Sequence, residues 1–465
     1  MQYKLHEGLS TVDIFLPNCG QIYPSMPVEI FKKETAYSSI AMQIHRGYKF
    51  ELKLNNKERS YLRACAGTAR FAWNWGLAER LKKLNGKTTQ DRFTTAMAQH
   101  RVLNKLKKTE LAWLYQYSKC IPQESLRDLE RAFTHFWKNW KERKAGKTTR
   151  YVGFPKFKKK GKCKASFRLT GTLKVIPEKN QVQLPRLGKL RVKERPNLPE
   201  TARILSATVS RTAERWYVAL TVTEDVSTPP KNTGPLLALD KGVRVFGTLS
   251  LGLPIPNPRF LQSQARKLRR LSQALSRKKK GSKNRQKAAR KLADFYRKIT
   301  AARRDFLHKT STYFTKNHGV ILVEDLFIKG LMQNKKLSKY WAELAHGEFQ
   351  RMLDYKAPLY GAKVIKVARF FPSSKLCSTC LYYNPHFPLV ERVFHCPLCG
   401  LELDRDYNAS LNLENYYYIY QPIIDPQSVA QSSEETLNAC GEPVRLSIGK
   451  LGSRKQEDCT VVPNS

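Results

Sequence analysis

The chain has 465 residues, of which 84 are Lys or Arg and 38 are Asp or Glu, so its net charge is +46. This length allows about two to four domains with cores of their own, and the 41% share of hydrophobic residues excludes wholesale disorder. So much positive charge would repel itself without a polyanion, and nucleic acid is the expected partner.

Membrane insertion and secretion are not expected. No stretch approaches the roughly 18 uncharged apolar residues of a spanning helix, and no signal-peptide pattern opens the chain. Of the ten cysteines, four form two tight pairs and six are scattered. This usage favours bound metal and free thiols in a reducing, cytoplasmic compartment over a disulfide framework.

The patterned, basic sequence begins at Met42, and residues 1–41 are interpreted as an atypical extension. A strand is predicted at 43–54, followed by Asn55 as a helix cap and Glu58 as its capping-box partner. Two helices are then predicted from apolar residues at helical spacing. Their buried faces are Leu62, Ala66, Ala69, Trp73 and Leu77 in the first, and Leu126, Leu129, Phe133, Phe136 and Trp140 in the second. Residues 42–150 are therefore predicted to be a helical, helix-turn-helix-like region that binds nucleic acid.

Residues 151–226 change to a period of two. The run ILSATVSRTAERWYVALTVTE predicts a hairpin in a small barrel or sheet. Before it, aromatic residues alternate with lysines, which is typical either of a solvated loop or of a surface that stacks bases and holds phosphates. The residues considered for such contacts are Phe154, Lys156, Phe157, Lys158, Lys159 and Lys160. The run STPPKNTGP predicts a linker at 227–235.

Residues 235–420 alternate between strands and helices, which predicts an α/β domain. The strands are LLALD, VRVFGTLS, VILVED and KVIKVA, with a helix expected at 337–361. Two long basic helices, at 262–317, are expected to meet near Gly281. Their charge is too uniform for pairing along the helix, which favours nucleic-acid contact over a solvated face, above all at Lys278, Lys279, Lys280 and Lys283. Residues 421–465 are predicted to form a mobile tail.

Three carboxylates stand at the ends of these core elements. Asp240 closes one apolar strand, Glu324 closes another, and Asp406 opens a short helix. In a ribonuclease-H-like fold the two strands lie side by side and the helix crosses them, so the carboxylates converge. Two Mg²⁺ ions held by such oxygen ligands would support phosphodiester hydrolysis. Asp325 and Asp404 are neighbours that we do not expect to be ligands.

Four cysteines have the spacing of a zinc ribbon. Cys377 and Cys380 form one pair, and Cys396 and Cys399 form the second pair after fifteen residues. Four thiolates can surround one Zn²⁺ tetrahedrally, which leaves no open position, so one structural zinc is predicted. The ribbon, 373–401, is inserted before the helix that carries Asp406.

Together these motifs resemble the TnpB (OrfB) proteins of bacterial insertion sequences, relatives of type V CRISPR effectors. The resemblance runs from about Met42 to Tyr417 through YKFELKLNNKE, SLRDLERAF, GFPKFKKKGK, LALDKGV, ILVEDL, FFPSSKLCSTC, CPLCG and DRDYNASLNL, in family order. One departure is Leu381, which stands where the family often has a glycine after the second cysteine.

The resemblance implies a RuvC-like nuclease domain with a zinc-ribbon insertion, preceded by a helical region and a wedge-like β domain. It implies that Asp240, Glu324 and Asp406 bind the catalytic magnesium and that the four cysteines bind zinc. The expected partners are a guide RNA from the protein's own element and matching double-stranded DNA, bound by a monomer associated with the nucleoid. Cleavage would support maintenance of the element.

Two alternatives remain beside an RNA-guided nuclease. Some relatives have lost their carboxylates and act as RNA-guided repressors, but all three carboxylates are present here. A strand-joining transposase would share the ribonuclease-H-like core, although the ribbon and the other motifs disfavour it. Proteins of this kind are also named transposases.

Overall fold

The computed structural model describes residues 41–424 apart from 85–93, 148–150, 152 and 389. The first described part is a long strand followed by three α-helices. These elements are β1 (Ala41–Glu51), α1 (Asn56–Leu84), α2 (Ala96–Leu106) and α3 (Cys120–Lys144). Residues 1–40 of the predicted extension and 425–465 of the predicted tail lie outside the described residues, whereas Ala41 belongs to a strand and 421–424 belong to a helix.

The start of α1 is fixed by the predicted capping box. The amide of Glu58 donates to Asn55 Oδ1 and the amide of Asn55 donates to Glu58 Oε2, each at 2.8 Å. Further along, α1 packs closely on α3: a Cβ added to Gly76 would lie 2.5 Å from Leu126 Cδ2. A glycine at this position therefore permits the close approach of the two helices.

The next part of the chain is β-rich. Its strands are β2 (Ser166–Leu169), β3 (Lys174–Ile176), β4 (Gln181–Leu184), β5 (Gly188–Arg191), β6 (Arg203–Thr212) and β7 (Arg215–Ser227). The predicted hairpin is β6–β7. One antiparallel sheet has the order β1-β7-β6-β2 and a smaller one the order β3-β4-β5. The β-rich unit therefore takes an edge strand, β1, from before the helices.

The remaining part is an α/β unit built on a mixed sheet. Its strands are β8 (Leu236–Asp240), β9 (Gly247–Leu249), β10 (Pro254–Ile255), β11 (Val320–Glu324) and β12 (Lys363–Val367). The sheet order is β10-β9-β8-β11-β12. β8, β11 and β12 are parallel, β9 is antiparallel to β8, and β10 is antiparallel to β9. The α/β class predicted from the sequence is confirmed.

The helices of this unit lie on the two faces of the sheet or pack on the helices that do. They are α4 (Phe260–Ser263), α5 (Ala265–Ser276), α6 (Lys283–Asn317), α7 (Ile328–Leu331), α8 (Ser338–Leu344), α9 (His346–Lys356) and α10 (Arg405–Ile424), and the hairpin β13 (Val393–His395) and β14 (Glu402–Asp404) precedes α10. Successive strand residues face opposite sides: Leu237 and Leu239 pack with Phe314 of α6, whereas Ala238 packs with Leu413 of α10.

Some predicted elements differ in the structure. The helix expected at 337–361 is broken at Ala345, whose φ is +53°. The break brings the buried His346 ring onto Phe246, with centroids 4.8 Å apart, and His346 Nε2 within 3.2 Å of the carbonyl of Gly242. The expected strand VRVFGTLS is reduced to β9, and Trp140 is 48% exposed although the sequence pattern predicts it on a buried face.

Within the described residues, every helix is too short or too polar to cross a lipid bilayer.

Candidate metal centres

The carboxylate site consists of Asp240, Glu324 and Asp406. Because β8 and β11 are parallel neighbours with Leu239 opposite Val323, the next residues, Asp240 and Glu324, lie at the same edge of the sheet. α10 crosses this edge and contributes Asp406 from its first turn. All three side chains line one cavity of about 290 Å³, so the structure brings together the carboxylates that the sequence predicts as a group.

Burial makes two of these carboxylates hard to ionise together. The pKa of Asp240 is raised well above its ordinary value by burial and by the charges of Glu324 and Asp406, and its side chain is hydrogen-bonded to Glu324. Burial also raises the pKa of Glu324, although the nearby Lys241 opposes the shift. A divalent cation held by these carboxylates would oppose both shifts and favour their ionised forms.

Asp406 has a different environment from its neighbours. Its carboxylate lies 3.3 Å from Arg405 Nη2 and 3.6 Å from Arg392 Nη1. Asp404, by contrast, accepts the amides of Asp406 and Tyr407 at 3.0 Å each and so caps α10. Asp325 pairs with Arg369 instead of lining the cavity.

The cavity also contains residues that the sequence analysis missed. Lys241 is buried, and its Nζ donates to the carbonyl of Glu324 at 2.9 Å and to Gln350 Oε1 at 2.8 Å. Burial lowers its pKa to about 8. Ser373 donates its hydroxyl to Glu324 Oε1 at 3.3 Å. The position of Lys241 next to Asp240 in the sequence could have indicated that it belongs to the site, whereas no sequence spacing indicates Ser373.

The cysteine site is formed by Cys377, Cys380, Cys396 and Cys399, whose Sγ atoms all lie within 4.8 Å of one another. The two knuckles have the same backbone hydrogen bond. The amide of Leu381 donates to the carbonyl of Cys377 at 3.1 Å, and the amide of Gly400 donates to the carbonyl of Cys396 at 3.0 Å. Burial opposes ionisation of Cys396, but the backbone amides of Cys399 and Leu398 lower its pKa to about 7. Four thiols at this spacing fit one tetrahedral Zn²⁺.

The two sites differ in how closely their ligands approach. In the part of the chain that the structure describes, the cysteines are the only group of three or more His, Cys, Asp or Glu residues whose ligand atoms all lie within 4.8 Å. The oxygens of the carboxylate site are therefore farther apart than the thiols.

The lysine-rich segment 153–165 is held against α1 and α3. The Phe154 ring packs edge to face on Phe133 and Phe136, with centroids 5.3 and 5.1 Å away. Lys158 Nζ lies 3.6 Å from the centroid of the Trp73 ring. Phe154 and Lys158 thus serve packing. Four of the six residues predicted for nucleic-acid contact in this segment remain exposed: Lys156, Phe157, Lys159 and Lys160.

The tip between α5 and α6 presents its lysines to solvent. Gly281, with φ +86°, makes the turn, and Arg285 Nη1 donates to the carbonyls of Leu275 and Lys278 at 2.8 and 3.0 Å. This hairpin tip exposes Lys278, Lys279, Lys280 and Lys283.

A basic cavity of about 670 Å³ lies between α1, the lysine-rich segment and the β6–β7 turn. The sequence analysis missed it, because its cations are far apart in the chain. They are Arg63, Arg70, Lys160, Lys164 and Arg211.

Comparison with known families agrees with this architecture. Residues 219–335 match the IS605-type OrfB family, described as "Probable transposase", 346–413 match the Cas12f1-like TNB domain, and 42–87 match the helix-turn-helix domain of the same OrfB family. These matches identify the class as an OrfB-type protein.

Individual relatives make the assignment firm. A Streptomyces pristinaespiralis protein named "Putative RNA-guided DNA endonuclease" is 34% identical over 374 residues, which cover 80% of this chain and 89% of that protein. InsQ of Escherichia coli K12, which bears the same description, is 29% identical and covers 79% of this chain and 91% of its own. The chain belongs to the TnpB (OrfB) family. Among solved structures, the chain is similar to the protein of a Cas12f1–sgRNA–target DNA complex. The match covers 78% of this chain and 83% of that protein, at 16% identity and a TM-score of 0.47.

Proposed function

We propose that the protein is an RNA-guided, magnesium-dependent DNA endonuclease encoded by an insertion sequence. The observation that carries the proposal is the meeting of Asp240, Glu324 and Asp406 in one cavity at the edge of a mixed sheet. Buried carboxylates repel one another and are costly unless a cation or proton compensates them. A fold that keeps three of them together is typical of a metal-binding active site.

The sheet order supports assignment of residues 235–420 to a ribonuclease-H-like, RuvC-like domain. Antiparallel β10, β9 and β8 are followed by parallel β11 and β12, with α10 across the edge. This is the arrangement expected when separated carboxylates converge. In the same proposal, 42–150 and 151–226 are the helical and the wedge-like nucleic-acid-binding domains.

The residues present fit magnesium, a hard cation that prefers oxygen ligands. Bound magnesium would activate the attacking water and stabilise the leaving oxygen. Asp240, Glu324 and Asp406 would hold it, while Lys241 fixes the end of β11 through the carbonyl of Glu324. Arg392 and Arg405 line the same cavity and can face a phosphate of the DNA backbone.

The partners in this proposal are a guide RNA from the protein's own element and a matching DNA duplex. The names of the two relatives, the net charge of +46 and the exposed hairpin tip support it. The basic cavity adds further cations beside the lysine-rich segment. An RNA–DNA heteroduplex is recognised through its backbone, so many phosphate contacts and few base contacts are required. One chain is proposed to act with one guide RNA.

The zinc ribbon is proposed to be structural. All four positions around the ion would be filled by thiolates, which leaves none for water or substrate. Cleavage at sites that match the guide would help the element to persist.

The test begins with RNA that copurifies with the protein. Sequencing should recover one transcript of the element itself, and DNA matching that transcript should then be cut only with Mg²⁺. Matched DNA that is bound but never cut would favour the repressor, and joined strands would favour the transposase. Absence of any specific RNA would overturn the proposal.

A further inference from the structure

A single segment, residues 373–378, contacts both candidate metal centres. Ser373 is 5% exposed, and its hydroxyl reaches Glu324 Oε1 of the carboxylate site at 3.3 Å. Cys377, a member of the cysteine site, follows four residues later and is fully buried. The chain therefore passes from one centre to the other within one short stretch.

α10 holds this segment through three asparagines, Asn408, Asn412 and Asn415, which we call the asparagine stripe. Asn412 Nδ2 donates to the carbonyls of Ser373 and Leu376 at 2.8 and 2.7 Å. Asn408 Nδ2 donates to the same Leu376 carbonyl at 2.7 Å, and its Oδ1 accepts the amide of Ser378 at 3.0 Å. Asn415 Nδ2 donates to the carbonyl of Ser378 at 2.7 Å.

The stripe is more than surface contact between a helix and a loop. Its members recur at intervals of four and three, so they share one face of α10. Asn408 and Asn412 are fully buried. Loss of the Asn412 amide would remove the donor to the Ser373 carbonyl, and loss of the Asn408 amide would remove the acceptor of the Ser378 N–H. The same helix carries Asp406 in its first turn, so the stripe ties that carboxylate to the ribbon as well.

Apolar packing would also hold α10 against the segment, but it would not set the position of the Ser373 hydroxyl. Hydrogen bonds are directional and short, whereas apolar contact tolerates sliding. Five such bonds, four from side-chain amides and one to a side-chain carbonyl, fix the segment.

We propose that Ser373 is a positioning residue for Glu324, and that the asparagine stripe couples folding of the cysteine site to the geometry of the carboxylate site. The proposal rests on the proposed function, since it concerns the same carboxylates. It assigns the ribbon a second role, which is to set the ion affinity of a site that its cysteines do not touch.

The first test measures Mn²⁺ affinity of the full-length protein by electron paramagnetic resonance, together with zinc content. Ser373→Ala should weaken Mn²⁺ binding about tenfold, as expected for one hydrogen bond to a charged group, and should leave zinc at its original level. Ser373→Thr, which keeps the hydroxyl, should restore the affinity. Thr379→Ala removes an exposed hydroxyl from the first knuckle and should change neither quantity.

The second test replaces Asn412 by leucine, which has a similar volume but no donor. Zinc should be retained, because the thiols are untouched, while Mn²⁺ affinity falls. Unchanged Mn²⁺ affinity in Ser373→Ala would overturn the inference, and so would joint loss of zinc and Mn²⁺ in Asn412→Leu, which would indicate a purely structural stripe.

Failure of the proposed function gives a different result. In that case wild type would bind Mn²⁺, Asp240→Ala would not, and no guided cleavage would be found. The Ser373 comparison can still be read under those conditions, because it depends on ion affinity and not on cutting.

Discussion

The cysteine site and the carboxylate site lie at the two ends of one segment, yet they differ in how closely their side chains are grouped. The Sγ atoms of the four thiols lie within 4.8 Å of one another. The carboxylates share a cavity but repel, and Asp406 is paired with Arg392 and Arg405. Under the proposed function, zinc would complete the folding of the first site, whereas magnesium would offset the repulsion between the carboxylates of the second.

The largest expected effect is on cleavage. Asp240→Ala, Glu324→Ala or Asp406→Ala should each lower the rate by at least about a thousandfold, because loss of a metal ligand removes several kcal/mol of transition-state stabilisation. Binding of matched DNA should stay nearly intact. Asp325→Ala is the matched control, since that residue pairs with Arg369 outside the cavity. Full activity of Asp406→Ala with an inactive Asp404→Ala would show that the wrong aspartate was chosen.

Zinc removal should have a large effect that is confined to the ribbon and to the carboxylate site coupled to it. We expect one zinc per chain, and Cys396→Ser or strong chelation should unfold residues 377–400, since metal supplies much of the folding energy of a small ribbon. Hydrogen exchange should rise there and stay low in β6 and β7. Soluble, active protein without zinc would contradict the proposed role of the ion in folding the ribbon.

Charge reversal at the hairpin tip should weaken RNA binding while the carboxylate site stays intact. Changing Lys278, Lys279 and Lys280 to Glu should reduce the slope of log affinity against log salt by about 0.7–0.9 for each RNA phosphate that these lysines neutralise. The matched triple change at the exposed Lys335, Lys336 and Lys339 should have a smaller effect. Equal decreases in affinity from both triples would mean that the tip has no special role.

A smaller effect concerns the stability of the metal-free protein. Burial and neighbouring carboxylates raise the pKa of Asp240, so its favourable contribution is complete at acidic pH and is lost as pH rises through the raised value. Asp240→Asn should therefore raise Tm more at pH 8 than at pH 4.5, although it abolishes cleavage. Asp305→Asn, at an exposed position, should give no such gain. An equal Tm change at both pH values would contradict the assignment.

The smallest expected effect distinguishes the two knuckles. Leu381 has φ +60° and its counterpart Gly400 has φ +73°, a region that costs a side-chain-bearing residue roughly 1 kcal/mol. Leu381→Gly should stabilise the zinc-bound ribbon by about that amount, and Gly400→Ala should destabilise it similarly. Chelator titrations of the two variants should shift in opposite directions. A shift in the same direction would show that side-chain contacts of Leu381 outweigh backbone strain.

Much of the fold could be predicted because local patterns determine it. The capping box at Asn55, the alternation in β6 and β7 and the strand ends at Asp240 and Glu324 are all encoded within a few residues. The meeting of those two carboxylates followed from parallel strands, whose carboxyl ends share an edge.

The missed features depend on contacts that sequence spacing does not encode. The break at Ala345 accompanies the contacts of His346 with Phe246 and Gly242, which lie about a hundred residues earlier. Ser373 reaches Glu324 only because α10 holds its backbone. Phe154 was considered for base stacking, but its ring packs against α3 instead. The exposure of single side chains in a lysine-rich segment cannot be predicted from the sequence, because the segment has no periodic pattern.

The pairing of β1 with β7 has a consequence for synthesis of the protein. Ala41 lies opposite Ser227 and Glu51 opposite Tyr217, so the edge of the first sheet joins residues from far apart in the chain. Translation proceeds from the amino terminus at about 5–20 residues per second. α1 and α3 can emerge and pack early, but β1 has no partner strand until β7 has left the ribosome. During that interval of roughly ten seconds or more, its backbone donors and acceptors remain available to other chains.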